Sequence, residues 1–269
     1  MMYVSPTVCS KYVDRIFEIS KLCPYSSVRS ALIVSLGDLL LRHPNIIEPF
    51  TPQFYAQIHD KDLNVGETAL CTIAILILRE MIKVRGYISE IALCLFHSHT
   101  PISSIAQHFF DELSLRQRGM ALFNVLPDII SRLSMNTICS KDVFQDIISH
   151  LFSYIKNDRH CEILVKRLCR QFKQACGDDR KRGNIAYCLS KLNIKTLASY
   201  RVLKENFPNV TESNEQNVDD YDEEEHLAWK KYLMPVLADI ERRLKPMEVS
   251  TPRRVLSTTT PKRKRERSP

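Results

Sequence analysis

The side chains best suited to metal chemistry lie close together in one short part of the sequence. Cys94, His97, His99 and His108 supply a thiol and three imidazoles there, which are the ligand types that zinc prefers. Zinc sites use spacings such as CxxC or HxxxH on a scaffold that supports both ligands. The spacing here fits neither, and His97-Ser98-His99 is expected in a turn between helices. We therefore predict no metal site.

Motifs for covalent catalysis and nucleotide binding are missing from the sequence. It contains no GxSxG, no recognisable catalytic cysteine pattern, no GxGxxG and no GxxxxGK[ST]. Glycine accounts for only 6 of the 269 residues, and phosphate-binding loops depend on glycine because their backbone approaches the ligand closely. We expect a protein that is not an enzyme and that holds no cofactor.

A basic helix face is the strongest candidate for nucleic-acid chemistry. The predicted helix over Cys161–Ala175 has an apolar stripe of Leu164, Leu168 and Phe172, and its basic residues lie on another face. Such a face can neutralise the phosphates of duplex DNA without reading bases, although an ordinary solvated face is the alternative. The predicted DNA contacts are Lys166, Arg167, Arg170 and Lys173 on the helix and Arg180, Lys181 and Arg182 in the next link. No aromatic residues interleave with them, so base stacking of single strands is not indicated.

The C-terminal tail carries two kinds of short motif. The cluster Lys262, Arg263, Lys264 and Arg265 is of nuclear-import type, with a non-specific polyanion-binding tail as the alternative. Thr251 and Thr260 each start a Thr-Pro-x-basic sequence, the preference of proline-directed kinases. Each phosphate would add about −1.5 to −2 of charge. We predict binding to a nuclear import receptor and modification by such a kinase.

The net charge of +7 is distributed unevenly. Residues 250–269 hold seven basic residues and one acidic residue, whereas residues 211–225 hold eight acidic residues and no Lys or Arg. The remainder of the chain holds 31 basic and 22 acidic residues. The basic excess that suggests nucleic-acid binding therefore lies in this remainder of the chain. In the net charge of the whole chain, the acidic segment offsets it.

A hydrophobic period of 3.6 residues recurs along nearly the whole chain, and no segment alternates convincingly as a strand would. Helices of about 10–16 residues are separated by short links, and the unit returns about every 35–45 residues. This pattern is typical of an all-α fold, an α-solenoid of HEAT-type helical hairpins, with an irregular all-α bundle as the alternative.

Local signals refine the helix predictions. Ser27 and Asp62 are expected to cap helices, whereas Pro127 and Pro235 are expected to kink or interrupt theirs. The clearest apolar stripe belongs to the helix over Ser27–Arg42 and comprises Val28, Ala31, Leu32, Leu36, Leu39 and Leu40.

The composition divides the chain into four parts. Residues 1–208 are the predicted HEAT-repeat solenoid, and residues 209–225 are an acidic insert that we expect to be disordered. Residues 226–246 form a last amphipathic helix, and residues 247–269 form a disordered basic tail rich in Ser, Thr and Pro.

Compartment signals point to the cell interior. The strongest apolar run, Thr68–Leu78, is shorter than the roughly 20 residues that a bilayer requires, so no membrane association is expected. No charged n-region followed by an apolar segment marks a secretory signal. The nine cysteines are odd in number and lie mostly in apolar helical patterns, which suits a reducing compartment such as cytosol or nucleus.

Several segments between Val28 and Leu133 resemble the C-terminal HEAT region of the condensin complex subunit 1 family. The resembling segments are Val28-Arg29-Ser30, Gly37-Asp38-Leu39, Arg42-His43-Pro44-Asn45, Glu48-Pro49-Phe50-Thr51-Pro52, Met81-Ile82-Lys83-Val84-Arg85-Gly86, Phe110-Asp111-Glu112-Leu113-Ser114 and Leu126-Pro127-Asp128-Ile129-Ile130-Ser131-Arg132-Leu133-Ser134. A looser likeness continues through Leu164–Phe172 and Ile185–Leu189, so that about 200 of the 269 residues are covered.

The resemblance implies a HEAT-repeat, non-SMC subunit of a chromosome-condensing complex, without an active site of its own. It implies binding to the kleisin and SMC subunits and to double-stranded DNA in mitotic chromosome condensation. The expected location is the nucleus and chromosome, with the cytoplasm for part of the cell cycle. The alternatives are the matching HEAT subunit of the second condensin complex and a HEAT adaptor in nuclear transport or trafficking.

This sequence also departs from the family pattern. Family members are several times longer. HEAT units commonly have Val-Arg at the start of the second helix, and Val28-Arg29 keeps that pair. Val65-Gly66 lacks the arginine, so weaker stacking is expected there.

Overall fold

The structure, a computed structural model, describes residues 2, 5–80, 87–207 and 223–248. Within those ranges the chain is largely helical and contains no β-strand, which confirms the predicted all-α class. The α-helices there are α1 (Pro6–Leu22), α2 (Ser26–Arg42), α3 (Pro44–Ile47), α4 (Thr51–Ala56), α5 (Leu63–Leu78), α6 (Ile88–Leu93), α7 (Thr100–Leu115), α8 (Met120–Met135), α9 (Lys141–Ser153), α10 (Asp158–Gln174), α11 (Asp179–Lys191), α12 (Leu197–Asn206) and α13 (Glu223–Glu248).

Polar side chains begin many of the helices. The capping residues Ser5, Asp62, Ser140, Asn157, Asp178 and Thr196 each accept a hydrogen bond from a backbone N–H two or three residues later. The predicted cap at Asp62 is confirmed. The predicted cap at Ser27 is wrong, because α2 begins at Ser26 and the side chain of Tyr25 before it makes no capping bond.

Elements that pack together are close in chain order, as in a solenoid. Helix α2 packs on α5 and α5 packs on α7, while α8 contacts α6, α7 and α10, and α10 contacts α11 and α12. The inward side chains of these helices join one hydrophobic cluster that runs along the stack. The architecture is therefore the HEAT-type solenoid predicted from the hydrophobic period.

The last helix closes the C-terminal end of the stack. α13 packs on α11 and α12 through Leu233, Leu237 and Ile240, which are buried, while Lys231 and Arg242 on its other side are exposed. A polar outer face of this kind is typical of a terminal capping helix. α13 begins at Glu223, earlier than the predicted start at residue 226.

The buried face of α2 differs from the predicted stripe. Val28 is 41% exposed and Ala31 is also exposed, whereas Ile33 is completely buried. The reason is Gly37, where an added Cβ would lie only 2.7 Å from Cγ2 of Thr72 on α5. This close crossing of α2 and α5 determines which side of α2 is buried. The apolar stripe in the sequence did not indicate it, because glycine has no side chain to add to such a stripe.

Two internal prolines do not end their helices. α8 continues through Pro127 without a break, and α13 continues through Pro235, so the predicted interruption at Pro235 is wrong. Pro127 lies among Leu126, Ile129 and Ile130, which are all fully buried, and its carbonyl accepts a hydrogen bond from Gln171 Nε2 at 3.0 Å. Burying these side chains offsets the cost of about 3 kcal/mol that an internal proline imposes.

Gly66 occupies the position where the family pattern has arginine. A Cβ at Gly66 would lie 2.8 Å from the carbonyl oxygen of Ile58, in the 3-10 turn Gln57–His59 that packs against α5. Glycine therefore permits a close approach of the turn to α5 at this position.

Candidate nucleic-acid interface

Helix α10 separates an apolar side from a basic side. Asn157 caps it by accepting a hydrogen bond from the backbone N–H of Arg159 at 2.9 Å. Its buried residues are Cys161, Leu164, Val165, Leu168, Cys169 and Phe172. Their burial fixes the rotation of α10, and this rotation decides which of its basic residues reach solvent.

Three of the predicted DNA contacts lie on the exposed side of α10. Lys166, Arg170 and Lys173 are exposed, and they form no ion pair among the residues that the structure describes. Seven residues of α-helix rise by about 10 Å, so these three side chains follow one another along the helix axis. They could contact successive phosphates of one DNA strand.

A fourth basic residue extends the same row. Arg159 is exposed and precedes Lys166 by seven residues, which places both on nearly the same side of the helix. Sequence reasoning missed Arg159 because it began the helix at Cys161, although Asn157 was a cap signal. We call Arg159, Lys166, Arg170 and Lys173 the α10 stripe, and their directions around the helix fall within about 60°. Glu162, which is half-buried, lies at its edge.

Arg167 has a partner inside the fold. It is half-buried, and its guanidinium lies 5.1 Å from the centre of the Phe123 ring on α8. The same ring stacks on His160 at 4.8 Å with an interplanar angle of 19°. The cation of Arg167 therefore stabilises the contact between α8 and α10.

Arg180 also makes contacts within the solenoid. Its Nη2 donates to the carbonyl oxygens of Asn136 at 2.8 Å and Cys139 at 2.5 Å. These bonds join the start of α11 to the link between α8 and α9. A guanidinium engaged in this way has fewer donors left for a phosphate.

The two neighbours of Arg180 are half-buried. Lys181 donates its backbone N–H to the capping carboxylate of Asp178 at 2.9 Å. The guanidinium of Arg182 lies 4.8 Å from the Phe172 ring, and its Nε is buried without a hydrogen-bond partner among the described residues. The structure thus gathers three of the seven predicted residues into one exposed row. Arg167, Lys181 and Arg182 are half-buried, and Arg180 is exposed but already donates to two carbonyl oxygens.

The candidate zinc ligands are not gathered into a site. Cys94 is buried and donates to the carbonyl oxygen of Glu90 at 3.4 Å, and burial raises the pKa of its thiol to about 12. Nδ1 of His97 accepts a hydrogen bond from the backbone N–H of His99 at 3.0 Å. Within the described ranges, no group of three or more His, Cys, Asp and Glu side chains is placed to hold a metal ion.

Two other sequence predictions concern residues that the structure does not describe. The import-type cluster Lys262, Arg263, Lys264 and Arg265 and the kinase sites Thr251 and Thr260 lie outside the described residues. Among the helices that are described, none has the length and apolar character needed to cross a bilayer.

Comparison with known proteins connects this architecture with a family. The family model described as non-SMC mitotic condensation complex subunit 1 matches residues 27–190. Condensin complex subunit 1 of Xenopus laevis is 41% identical over 193 residues, which are 71% of this chain and 14% of that protein. The human protein of the same name is 38% identical over 205 residues, which are 76% of this chain and 14% of that protein.

A more distant relative also matches most of the chain. Condensin complex subunit 1 of Saccharomyces cerevisiae is 29% identical over 211 residues, which are 78% of this chain and 18% of that protein. The chain therefore matches between 14% and 18% of the length of these three relatives. The α10 stripe lies inside the range that the family model covers.

Proposed function

Because this chain belongs to the family of non-SMC mitotic condensation complex subunit 1 proteins, we propose that it acts as a HEAT-repeat regulatory subunit of condensin. It assembles with kleisin and SMC subunits and holds duplex DNA during mitotic chromosome condensation. It performs no catalysis itself, since the ATPase of such complexes lies in the SMC partners.

The observation that carries the DNA-binding part of the proposal is the α10 stripe. Arg159, Lys166, Arg170 and Lys173 form an exposed row that the packing of α10 holds in place. Cations on a rigid helix contact phosphates whatever the base sequence, and they release counterions when they do so. The expected interaction is therefore independent of sequence and sensitive to salt.

A groove between α2 and α5 is the proposed contact for the kleisin subunit. Its volume is about 460 Å³, and Val34, Leu41 and Ile75 line it with 47%, 38% and 46% of their surfaces exposed. Asp38 and Glu67 also line the groove. An extended segment with apolar anchors and a nearby cation suits such a surface.

The C-terminal motifs supply the proposed regulation. An import receptor recognises the cluster Lys262, Arg263, Lys264 and Arg265 and brings the protein to the nucleus. A proline-directed kinase modifies Thr251 and Thr260, and the added charge weakens attraction of the tail for polyanions. The protein is then on chromosomes in mitosis and in the cytoplasm for part of the cell cycle.

Two alternatives remain distinguishable by experiment. The family model and the relatives above carry the name of subunit 1 of condensin, which favours that complex over the second condensin complex. A HEAT adaptor in nuclear transport or trafficking would bind receptors or cargo and show no affinity for a kleisin or for duplex DNA.

Affinity purification of the chain from mitotic cells, followed by mass spectrometry, tests the assembly part of the proposal. We expect SMC and kleisin subunits of the first condensin complex to be recovered. A double substitution of Val34→Asp and Ile75→Asp should reduce the kleisin signal, whereas Tyr12→Asp, at an exposed apolar residue on α1, should not. Recovery of transport factors without any SMC or kleisin subunit would contradict the proposal.

A further inference from the structure

A second basic feature lies near the start of α10 and faces a different direction from Lys166. A pocket of about 210 Å³ forms where the turn Arg116–Gly119, the start of α8 and the link from α9 to α10 come together. Arg118, Lys156 and His160 line it, and no Asp or Glu does. The formally charged side chains that line it, Arg118 and Lys156, are therefore both cations.

Two carboxylates of the neighbouring elements already have partners within the fold. Asp111 on α7 accepts a hydrogen bond of 2.6 Å from the hydroxyl of Tyr154, which itself lines the pocket. Asp158 lies 3.8 Å from Nζ of Lys195 and lines an adjacent cavity, which Lys156 and Asn157 also line. Arg118 and Lys156 form no ion pair with any described residue, so their charges are available to a ligand.

The turn that carries Arg118 has an unusual backbone. Gln117 has φ 48° and ψ 36°, Arg118 has φ 56° and ψ 41°, and Gly119 follows with φ 85°. Left-handed conformations are rare for residues with a Cβ, and an observed outlier of this kind is a reason to look for function. Here the strained turn places Arg118 among the residues that line the pocket.

One wall of the pocket consists of stacked rings. His160 stacks on Phe123 with their ring centres 4.8 Å apart, and both residues line the pocket. His160 projects about 100° around α10 from Arg159, so the pocket and the α10 stripe face different directions. A ligand in the pocket would not have to contact the stripe.

We propose that this pocket binds the phosphate monoester of a phosphorylated serine or threonine in a partner protein. Arg118, Lys156 and His160 line one concave site, and clusters of basic side chains recognise the phosphate of phosphorylated motifs in this way. The diester backbone of duplex DNA lies on a convex surface and suits the exposed α10 stripe instead. The site is distinct from the DNA contact proposed above and does not depend on it.

The chain's own tail does not fit this pocket. Thr251 and Thr260 are each followed, after a proline, by two basic residues. Those cations would be brought against Arg118 and Lys156, and like charges in one site repel. The matching ligand is a phosphorylated segment without adjacent basic residues.

The test uses the full chain and a fluorescent, otherwise uncharged peptide containing one phosphothreonine, with binding followed by fluorescence anisotropy. We expect saturable binding of the phosphopeptide and none of its unphosphorylated form. Arg118→Gln and Lys156→Gln should each weaken binding about tenfold or more, because each removes a charge-assisted hydrogen bond. Arg159→Gln is the matched control, since Arg159 lies beside His160 but does not line the pocket, and it should leave the affinity unchanged.

Further arms separate this site from the stripe. Substituting Lys166, Arg170 and Lys173 together with glutamine should not alter phosphopeptide binding, whatever it does to DNA binding. The amide signal of Gly119 in a ¹H–¹⁵N spectrum should shift with the phosphopeptide, and an intact spectrum for Arg118→Gln would show that this variant folds. Equal binding of the unphosphorylated peptide, or an affinity unaffected by both pocket substitutions, would overturn the proposal. The proposal would also be overturned if the variant at Lys166, Arg170 and Lys173 no longer bound the phosphopeptide and duplex DNA displaced the phosphopeptide from the unsubstituted protein.

Discussion

Arg29 holds Asp60 through two parallel hydrogen bonds, from Nε to Oδ2 at 3.1 Å and from Nη2 to Oδ1 at 2.8 Å. Both side chains are only 11% exposed. Nη1 of Arg29 also donates to the carbonyl oxygen of Cys23, and Asp60 accepts from the backbone N–H of Asp62, the residue that caps α5. One ion pair thus joins the start of α2 to the start of α5, and its hydrogen bond raises the pKa of the Arg29 guanidinium.

Replacing Arg29 should therefore destabilise the solenoid strongly. Arg29→Met leaves the Asp60 carboxylate largely buried without its cation, and such losses cost about 3–5 kcal/mol. Urea unfolding followed by circular dichroism measures the change. Arg243→Ala is the control, because its partner Asp239 is on the exposed side of α13 and pairs of that kind contribute about 0.5 kcal/mol or less. Equal effects of the two substitutions would contradict the role given to Arg29.

Two glycine substitutions should have opposite effects. Gly66→Ala brings a methyl group to within 2.8 Å of the Ile58 carbonyl oxygen, so we expect a loss of about 1–3 kcal/mol in the free energy of unfolding. Gly183→Ala, inside α11, meets no atom within 4 Å and should stabilise the helix by about 0.5–1 kcal/mol. Thermal unfolding of both variants checks this. A Gly66→Ala protein as stable as Gly183→Ala would show that α5 does not pack closely on the turn Gln57–His59.

Arg180 and Arg170 should separate stability from DNA binding. Arg180→Ala removes the donor to two carbonyl oxygens and should lower the free energy of unfolding by about 1–3 kcal/mol. Arg170→Ala should leave stability nearly unchanged, since Arg170 is exposed. In a DNA titration we expect the opposite order, because Arg170→Ala should weaken DNA affinity more than Arg180→Ala does. If Arg180→Ala weakened DNA binding more than Arg170→Ala did, without any loss of stability, Arg180 would be a phosphate contact after all.

Cysteine reactivity should follow burial. Burial raises the pKa of Cys169 to about 12 and that of Cys161 to about 11, so their thiolates are scarce at pH 8. Cys71 and Cys176 are exposed. Brief treatment with iodoacetamide at pH 8 should modify Cys71 and Cys176 first, as read by peptide mass spectrometry, and all nine cysteines in denaturant. Early modification of Cys161 or Cys169 in the native protein would contradict the packing of α10.

Sequence reasoning reached the fold because hydrophobic period and capping residues are local signals. Asp62 illustrates this, since its carboxylate caps a helix only two residues away. Arg180 illustrates the limit, because its acceptors on Asn136 and Cys139 are more than 40 residues earlier in the chain. A charge pattern in the sequence shows where cations are concentrated, but only the packed structure shows which cations already bind groups within the fold.

Gly37 and Pro127 show the same limit for helices. The close crossing at Gly37 depends on Thr72, and the continuity of α8 at Pro127 depends on burial by neighbouring helices. Both outcomes are tertiary effects that outweigh local preference.

The salt dependence of duplex-DNA binding tests the central claim most directly. The variant replaces Lys166, Arg170 and Lys173 with glutamine. The control replaces Arg15, Lys21 and Lys61, exposed residues on and near α1 and α5, so that both proteins lose the same charge. Each phosphate contact contributes about 0.9 to the slope of log K against log salt concentration. We predict that the slope of the variant falls by about 2.7 and that the control keeps the unaltered slope. Equal slopes in all three proteins would contradict the claim that the α10 stripe binds DNA.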